Sequence, residues 1–388
     1  MGLQENGENE PGNCLMNHTL FSVAVRILWV VLAAAQAGGC APGALTQVPP
    51  TAPAGLLFAT STPATTPMPA AGVLPLTPTV PASVIPLPTT TLTPTTATPT
   101  ATVTPQTATC TRIGQSRLAA DGMKLVCVPQ GSFVMGPRAG EVTYPANLPA
   151  HSVSLAAFWI DETEITNAMF ARFVQSTAYQ TVSERIGVSN VFTPNSGMGA
   201  WNMVPADWRR PSGPTSSLKG LENHPVVQIA WQDAAEYCNW AGRRLPTEAE
   251  WEKAALGSDG RRLPWGSQAP DGNRANIADR SLGTSYAASS NDGYRFTAPV
   301  GSYPAGASPY GALDMAGNAW EWLVDWYGET YYAVSPAANP TGLASGEFRA
   351  LRGGSWSDLL ITITYRGHHA PGETNNGYGF RCALSDLP

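Results

Sequence analysis

Apolar positions along the chain fall into three stretches with different spacing. The first is Ile27 to Ala35, a continuous run behind Arg26 and followed by Gln36-Ala37-Gly38-Gly39-Cys40. Between Ala41 and Thr111 the few large apolar residues show no period, and threonine, proline and alanine dominate. From Asp121 onward the spacing becomes readable. In DGMKLVCVPQGSFVMG (Asp121 to Gly136) apolar residues alternate on both sides of Gly131, which predicts two short strands and a turn. AAFWIDETEIT (Ala156 to Thr166) predicts another strand. Thr166 then stands where it can cap a helix carrying Phe170, Phe173 and Val174 on one face. In HPVVQIAWQDAAEYCNWAGRRLPTEAEWEKAA (His224 to Ala255), residues Ala234, Tyr237, Cys238 and Ala241 keep helical spacing, and Gly242 sits where a helix would end. Behind Pro246, Thr247 and Glu250 form a capping box for a second helix that turns Trp251, Ala254 and Ala255 inward. These residues predict two short helices packed on an irregular, aromatic-rich body.

Composition explains the first two stretches. Of 388 residues 43% are hydrophobic, enough for one or two domains with a proper core. Only 13% are charged, against about 25% in ordinary soluble domains. The deficit is local, because Ala41 to Thr111 contains no Asp, Glu, Lys or Arg. Proline-fixed backbone without apolar periodicity cannot bury a core, so this segment reads as an extended spacer. The run behind Arg26 is too short for a spanning helix, which needs about 20 residues, and reads as a secretory signal. A cysteine directly after small residues is similar to the lipobox of bacterial lipoproteins, which makes Cys40 the expected lipidation site. Glu5, Glu8 and Glu10 do not suit the basic start of a signal, so Met16 is the expected initiator. The expected organisation is a signal segment at 1–40, an uncharged Thr/Pro-rich linker at 41–115 and a folded domain at 116–388. It describes an exported protein, held by its lipidated N-terminus at a membrane in the periplasm or at the cell surface, or else secreted. A formal charge of −6 with no basic block excludes an electrostatic footprint for nucleic acid.

The sequence HPVV followed by RLPTEAEWE resembles the signature of the formylglycine-generating enzymes, or sulfatase-modifying factors. The resemblance runs from Asp121 to the C-terminus. It takes in TAYQTVSERIG (Thr177 to Gly187), DWRRPSGP (Asp207 to Pro214), GALDMAGNAWEW (Gly311 to Trp322) and RGGSWSDLLITITYRGHHAPGETNNGYGFRCA (Arg352 to Ala383). It implies an α+β, C-type-lectin-like domain, loop-rich with short strands and a few short helices. Family enzymes oxidise a sulfatase cysteine to formylglycine with copper held by two thiolates. Here the corresponding positions fall near Asp358 and Ile363, and no cysteine lies between Cys238 and Cys382. Copper is therefore not expected, since monovalent copper prefers thiolate.

The resemblance implies further residues. Two structural calcium sites would take Asn276, Ile277, Asp292 and Tyr294, and then Asp314, Gly317, Ala319 and Glu321. Ile277, Tyr294, Gly317 and Ala319 would act through backbone carbonyls; carboxylates mixed with carbonyls suit a hard cation. Cys238 and Cys382 match a pair bridged in the family, whereas the two positions of a further family bridge are Ala255 and Gly367 here. Cys110 and Cys127 remain as a second possible bridge on parity alone. The turn at Gly353-Gly354 would place Ser355, Trp356 and Asp358 along the family's peptide groove, with His368 and His369 close by. Trp201, Trp208 and Trp320 are candidates for either groove or core. Adjacent histidines on an extended segment point in opposite directions, which argues against joint metal ligation with Asp358. The first reading is a monomeric binding or accessory module for a peptide, protein or glycan at the cell surface. A diverged oxidoreductase with another metal is the alternative, and formylglycine formation comes last.

Overall fold

A computed structural model of the chain describes residues 109–359 and 362–386. The expected signal, Cys40, Met16 and nearly all of the linker lie outside the described residues. The described part opens with five strands, β1 (Ser116–Leu118), β2 (Lys124–Val128), β3 (Gly131–Met135), β4 (His151–Leu155) and β5 (Phe158–Asp161). Helices α1 (Asn167–Thr177) and α2 (Val182–Ile186) follow, then a hairpin of β6 (Ser189–Thr193) and β7 (Ala200–Val204). Helices α3 (Trp231–Trp240) and α4 (Glu248–Leu256) precede a long stretch without regular strands, from 257 to 319. The chain ends with β8 (Trp320–Trp326), β9 (Arg349–Arg352), β10 (Gly367–His369), β11 (Tyr378–Gly379) and β12 (Ala383–Ser385).

Two four-stranded sheets organise the body. One is the antiparallel sheet β1-β2-β5-β12, in which the last strand pairs with β5 through Ala383 and Ile160. The other has the order β10-β9-β8-β11, with β11 running parallel to β8. The two strands expected around Gly131 both form, but they do not pair with each other. β2 belongs to the first sheet, whereas β3 pairs with β4 in a separate hairpin. β5 is buried along its whole length because it lies between β2 and β12.

The helices start and stop where their caps dictate. Thr166 accepts the Met169 N–H at 3.2 Å and caps α1, which buries Phe170, Phe173 and Val174. Thr247 and Glu250 close the capping box of α4, with bonds of 3.1 and 2.8 Å. All nine residues of α4 are buried, charged ones included. Its acids are satisfied internally: Glu248 takes two bonds from Arg366 at 2.7 and 2.8 Å, and Glu252 pairs with the fully buried Arg352.

Both expected disulfides are present, Cys110–Cys127 and Cys238–Cys382. Cys110 is itself buried, so the folded body reaches back at least to this residue. The second bridge ties α3 to the start of β12 across 144 residues of sequence. Cross-linking stabilises mainly by restricting the unfolded chain, and more so for longer loops. Replacing Cys238 and Cys382 together by alanine should therefore lower the unfolding free energy in urea titrations by about 4 kcal/mol. The corresponding change at Cys110 and Cys127, which close a 17-residue separation, should have the smaller effect. Equal losses would contradict the loop-entropy account.

Candidate functional site

One face of the second sheet forms the floor of a cleft of about 410 Å3. Trp320 from β8, Leu351 from β9, His369 from β10 and Tyr378 from β11 contribute to it. Trp201, 54% exposed on β7, stands at its edge. A neighbouring hollow of about 200 Å3 shares Trp320, Asp358 and Tyr365 and adds Gly353, Gly354 and Thr362. The turn after β9 shapes both. Gly353 and Gly354 take φ values of 101° and 79°, a region that side-chain-bearing residues rarely adopt. This reversal brings Asp358 back over Ser355. Oδ2 of Asp358 accepts the Ser355 N–H at 2.8 Å, the Ser355 hydroxyl at 2.6 Å and the Trp320 indole N–H at 3.0 Å. No described residue donates to Oδ1. Burial raises the Asp358 carboxyl above its ordinary range, opposed only by those three donors.

The structure brings together part of the expected groove set. Ser355, Asp358, His368 and His369 line the cleft. Trp356 does not: it is buried against Phe192 and Phe296, and its N–H donates to the Asn376 carbonyl at 2.9 Å. Ile363 is likewise a core residue, fully buried, and the adjacent Thr362 faces the smaller hollow instead. An apolar side chain next to a polar one on a chain leaving the core turns inward, which decides between them. His368 stacks on Tyr327 at 4.0 Å, whereas His369 bonds Glu373 at 2.7 Å and leans on Tyr378, so the pair does face apart. Of the three tryptophans left open, Trp201 and Trp320 line the cleft and Trp208 is core. Tyr365, Asn375, Gly377 and Tyr378 line the cleft unforeseen. The one sequence signal for Asn375, Gly377 and Tyr378 is the polar, glycine-punctuated NNGYG run, which resembles any loop, and Tyr365 has none.

Gly367 carries a specific steric demand. A Cβ at this position would lie 2.9 Å from Cζ3 of Trp320.

The expected calcium residues form two adjoining loops. In the first, the Asp292 carboxylate accepts the N–H groups of Ile277 at 3.0 Å and Tyr294 at 2.9 Å. Burial pushes its carboxyl up to about 6. Asn276 donates to Asn318 at 3.0 Å, and its own side-chain oxygen is buried without a partner. In the second, Asp314 accepts the Gly301 N–H at 2.6 Å, and Glu321 takes two bonds from Arg381, each 2.7 Å. Gly317 has to be glycine: φ is 79° and a Cβ would meet the Asn276 carbonyl oxygen at 2.1 Å. Glu164, which sequence reasoning missed, joins this group. It is fully buried, accepts the Asn318 amide at 2.9 Å, and leaves Oε2 without a partner. Burial, Asp314 and Glu321 together raise its carboxyl well above the usual range, and only Arg381 opposes them by charge.

The architecture is the α+β, C-type-lectin-like arrangement, with mixed sheets and few short helices. Residues 113–386 match the sulfatase-modifying factor enzyme 1-like domain, and the chain belongs to the formylglycine-generating enzyme family. It is 44% identical over 280 residues to the formylglycine-generating enzyme of Streptomyces coelicolor, covering 66% of this chain and 88% of that protein. It is also 35% identical over 282 residues to the inactive C-alpha-formylglycine-generating enzyme 2 of Mus musculus, covering 67% of this chain and 85% of that one. Among solved structures, PvdO from Pseudomonas aeruginosa shares the fold at 24% identity and a TM-score of 0.55, covering 71% of this chain and 99% of PvdO.

The contact between Gly367 and Trp320 yields a direct test. Gly367→Ala should destabilise the domain by about 1–3 kcal/mol, as overpacking does. In a Trp320→Leu background the same substitution should cost less, and a double-mutant cycle on denaturation midpoints reads the coupling. Simple additivity would show that the ring yields freely.

Proposed function

We propose that this family member is an exported, membrane-tethered binding module, whose cleft takes a peptide, glycan or other cell-surface ligand without copper-thiolate oxidation. The observation that carries the reading is the chemistry at Asp358. Near the positions where the family resemblance implies two thiolates, this chain offers a carboxylate already bonded to Ser355 and Trp320, and a buried isoleucine. All four cysteines among the described residues are joined in disulfides. Soft monovalent copper is poorly served by these donors, so the residues present do not fit it. That one relative is named as an inactive formylglycine-generating enzyme supports a scaffold kept apart from the chemistry. The run behind Arg26, Cys40 and the uncharged spacer support tethering as a lipoprotein. The incubation that tests this combines the purified protein with a sulfatase-type cysteine peptide, copper and oxygen. Mass spectrometry should find no aldehyde product, and its appearance would overturn the reading.

The two loops support calcium as a structural ion. Among the described residues no three His, Cys, Asp or Glu side chains form a metal-holding group by themselves. The proposed sets add backbone carbonyls and an amide to the carboxylates of Asp292, Asp314 and Glu321, a mixture that suits calcium. The buried, unpartnered oxygens of Glu164 and Asn276 are what an oxygen-seeking cation would satisfy. Asn276, Ile277, Asp292 and Tyr294 would hold one ion, and Asp314, Gly317, Ala319 and Glu321 the other, with Glu164 beside them. An ion that binds only the folded state stabilises it by mass action. EGTA should therefore lower the calorimetric Tm by about 5 °C or more. Asp314→Asn should blunt that response, and a Tm indifferent to chelator rejects the assignment.

A further inference from the structure

The cleft holds one acid, Asp358, beside two histidines that are already engaged elsewhere. Asp358 projects its carboxyl among Trp320, Tyr365 and, across the opening, Trp201 and Tyr378. No lysine or arginine lines the cleft among the described residues. Arg366, one residue from Tyr365, is turned away into its pair with Glu248 at 2.7 and 2.8 Å. Arg352, on the strand leading into the turn, is committed to Glu252 and to the Ile363 carbonyl at 2.6 Å. His369 already has Glu373 as a partner at 2.7 Å, and His368 is stacked beneath Tyr327. Three donors converge on one oxygen of Asp358 and no described residue donates to the other. Hydrogen bonds from neutral donors relieve a partly buried carboxylate, but only an opposite charge compensates it fully.

Resting on the binding-module reading, we infer that the cleft recognises an aliphatic ammonium group, with Asp358 as its counter-ion and the faces of Trp201, Trp320, Tyr365 and Tyr378 as its walls. Aromatic faces carry negative charge density that attracts such a cation, and the attraction strengthens where water is excluded. At about 410 Å3 the cleft lies within the range that encloses small ligands or one large side chain, about 300–1,000 Å3. A neutral sugar would stack on the same rings yet leave the carboxylate uncompensated, which favours the cation. The ammonium can belong to a lysine side chain or to a free amine; the chemistry recognised is the same.

Calorimetric titration of the full domain tests this with four probes: tetramethylammonium chloride, Nα-acetyl-lysine amide, the norleucine analogue of that amide, and maltose. The ammonium probes should bind, and the norleucine analogue should bind at least about tenfold more weakly than the lysine amide. Preference for the lysine amide over tetramethylammonium identifies a side-chain ligand, and the reverse identifies a free amine. Asp358→Asn keeps an acceptor for Ser355 and Trp320 while removing the charge, and should lose about tenfold. Trp201→Ala, at an exposed position, should lose about fivefold. The comparison of lysine with norleucine needs no variant, so it stands even if a variant folds poorly. Equal binding of lysine and norleucine, or binding of maltose alone, overturns the ammonium inference and leaves the binding module intact. Failure of every probe to bind overturns the inference, whereas the module reading itself is overturned only by aldehyde formation on the cysteine peptide.

Discussion

The pairing of Glu321 with Arg381 holds the domain's separate parts in one arrangement. Every guanidinium N–H of Arg381 is engaged: two on Glu321, two on the carbonyls of Asp161 and Glu162, one on the carbonyl of Leu313. Glu321 receives in addition the indole N–H of Trp251 at 2.7 Å. A single buried ion pair thus joins β5, α4, β8, the loop before β8 and the C-terminal segment. Both side chains are fully buried, and removing one from such a pair leaves an uncompensated charge that costs about 3–5 kcal/mol. A body with so little regular structure has few backbone ladders to set its geometry, and charged networks of this kind take over that role.

The same pairing creates the excess of negative charge beside it. Glu164 and Asp314 lie close to Glu321, and one guanidinium faces all three. The cluster of buried acids around Arg381 is therefore a consequence of how the body is fastened. The cleft depends on the fastening too, since Trp320 precedes Glu321 on β8 and takes its direction from the strand. Alternation puts Glu321 into the core and Trp320 onto the opposite face, where its N–H reaches Asp358.

Several elements were legible from local rules. Thr166, Thr247 and Glu250 marked helix starts because a capping side chain bonds within three residues of itself, and Gly242 marked a helix end for a similarly local reason. The Cys238–Cys382 bridge was legible only through the family pattern, because nothing near either cysteine names its partner 144 residues away. Trp356, expected along the groove, is core for a reason that spacing does not carry. Near a glycine-rich reversal the chain has no fixed period, so neighbours in sequence face cleft and core in an order that spacing cannot reveal. Glu164 was passed over because an acid in DETEIT reads as an exposed polar residue until the C-terminal strand covers it.

The sequence by itself determined the family, the capped helices and the absence of any charged residue between Ala41 and Thr111. Each of these follows from residue identity or from contacts within a few positions. Only the tertiary structure decided that β2 and β3 part into different sheets, that Thr362 rather than Ile363 faces the hollow, and that Asp358 meets Trp320 in a cleft that no described lysine or arginine lines. Those outcomes depend on groups far apart in the chain arriving at one place, where burial sets the cost of every unpaired charge.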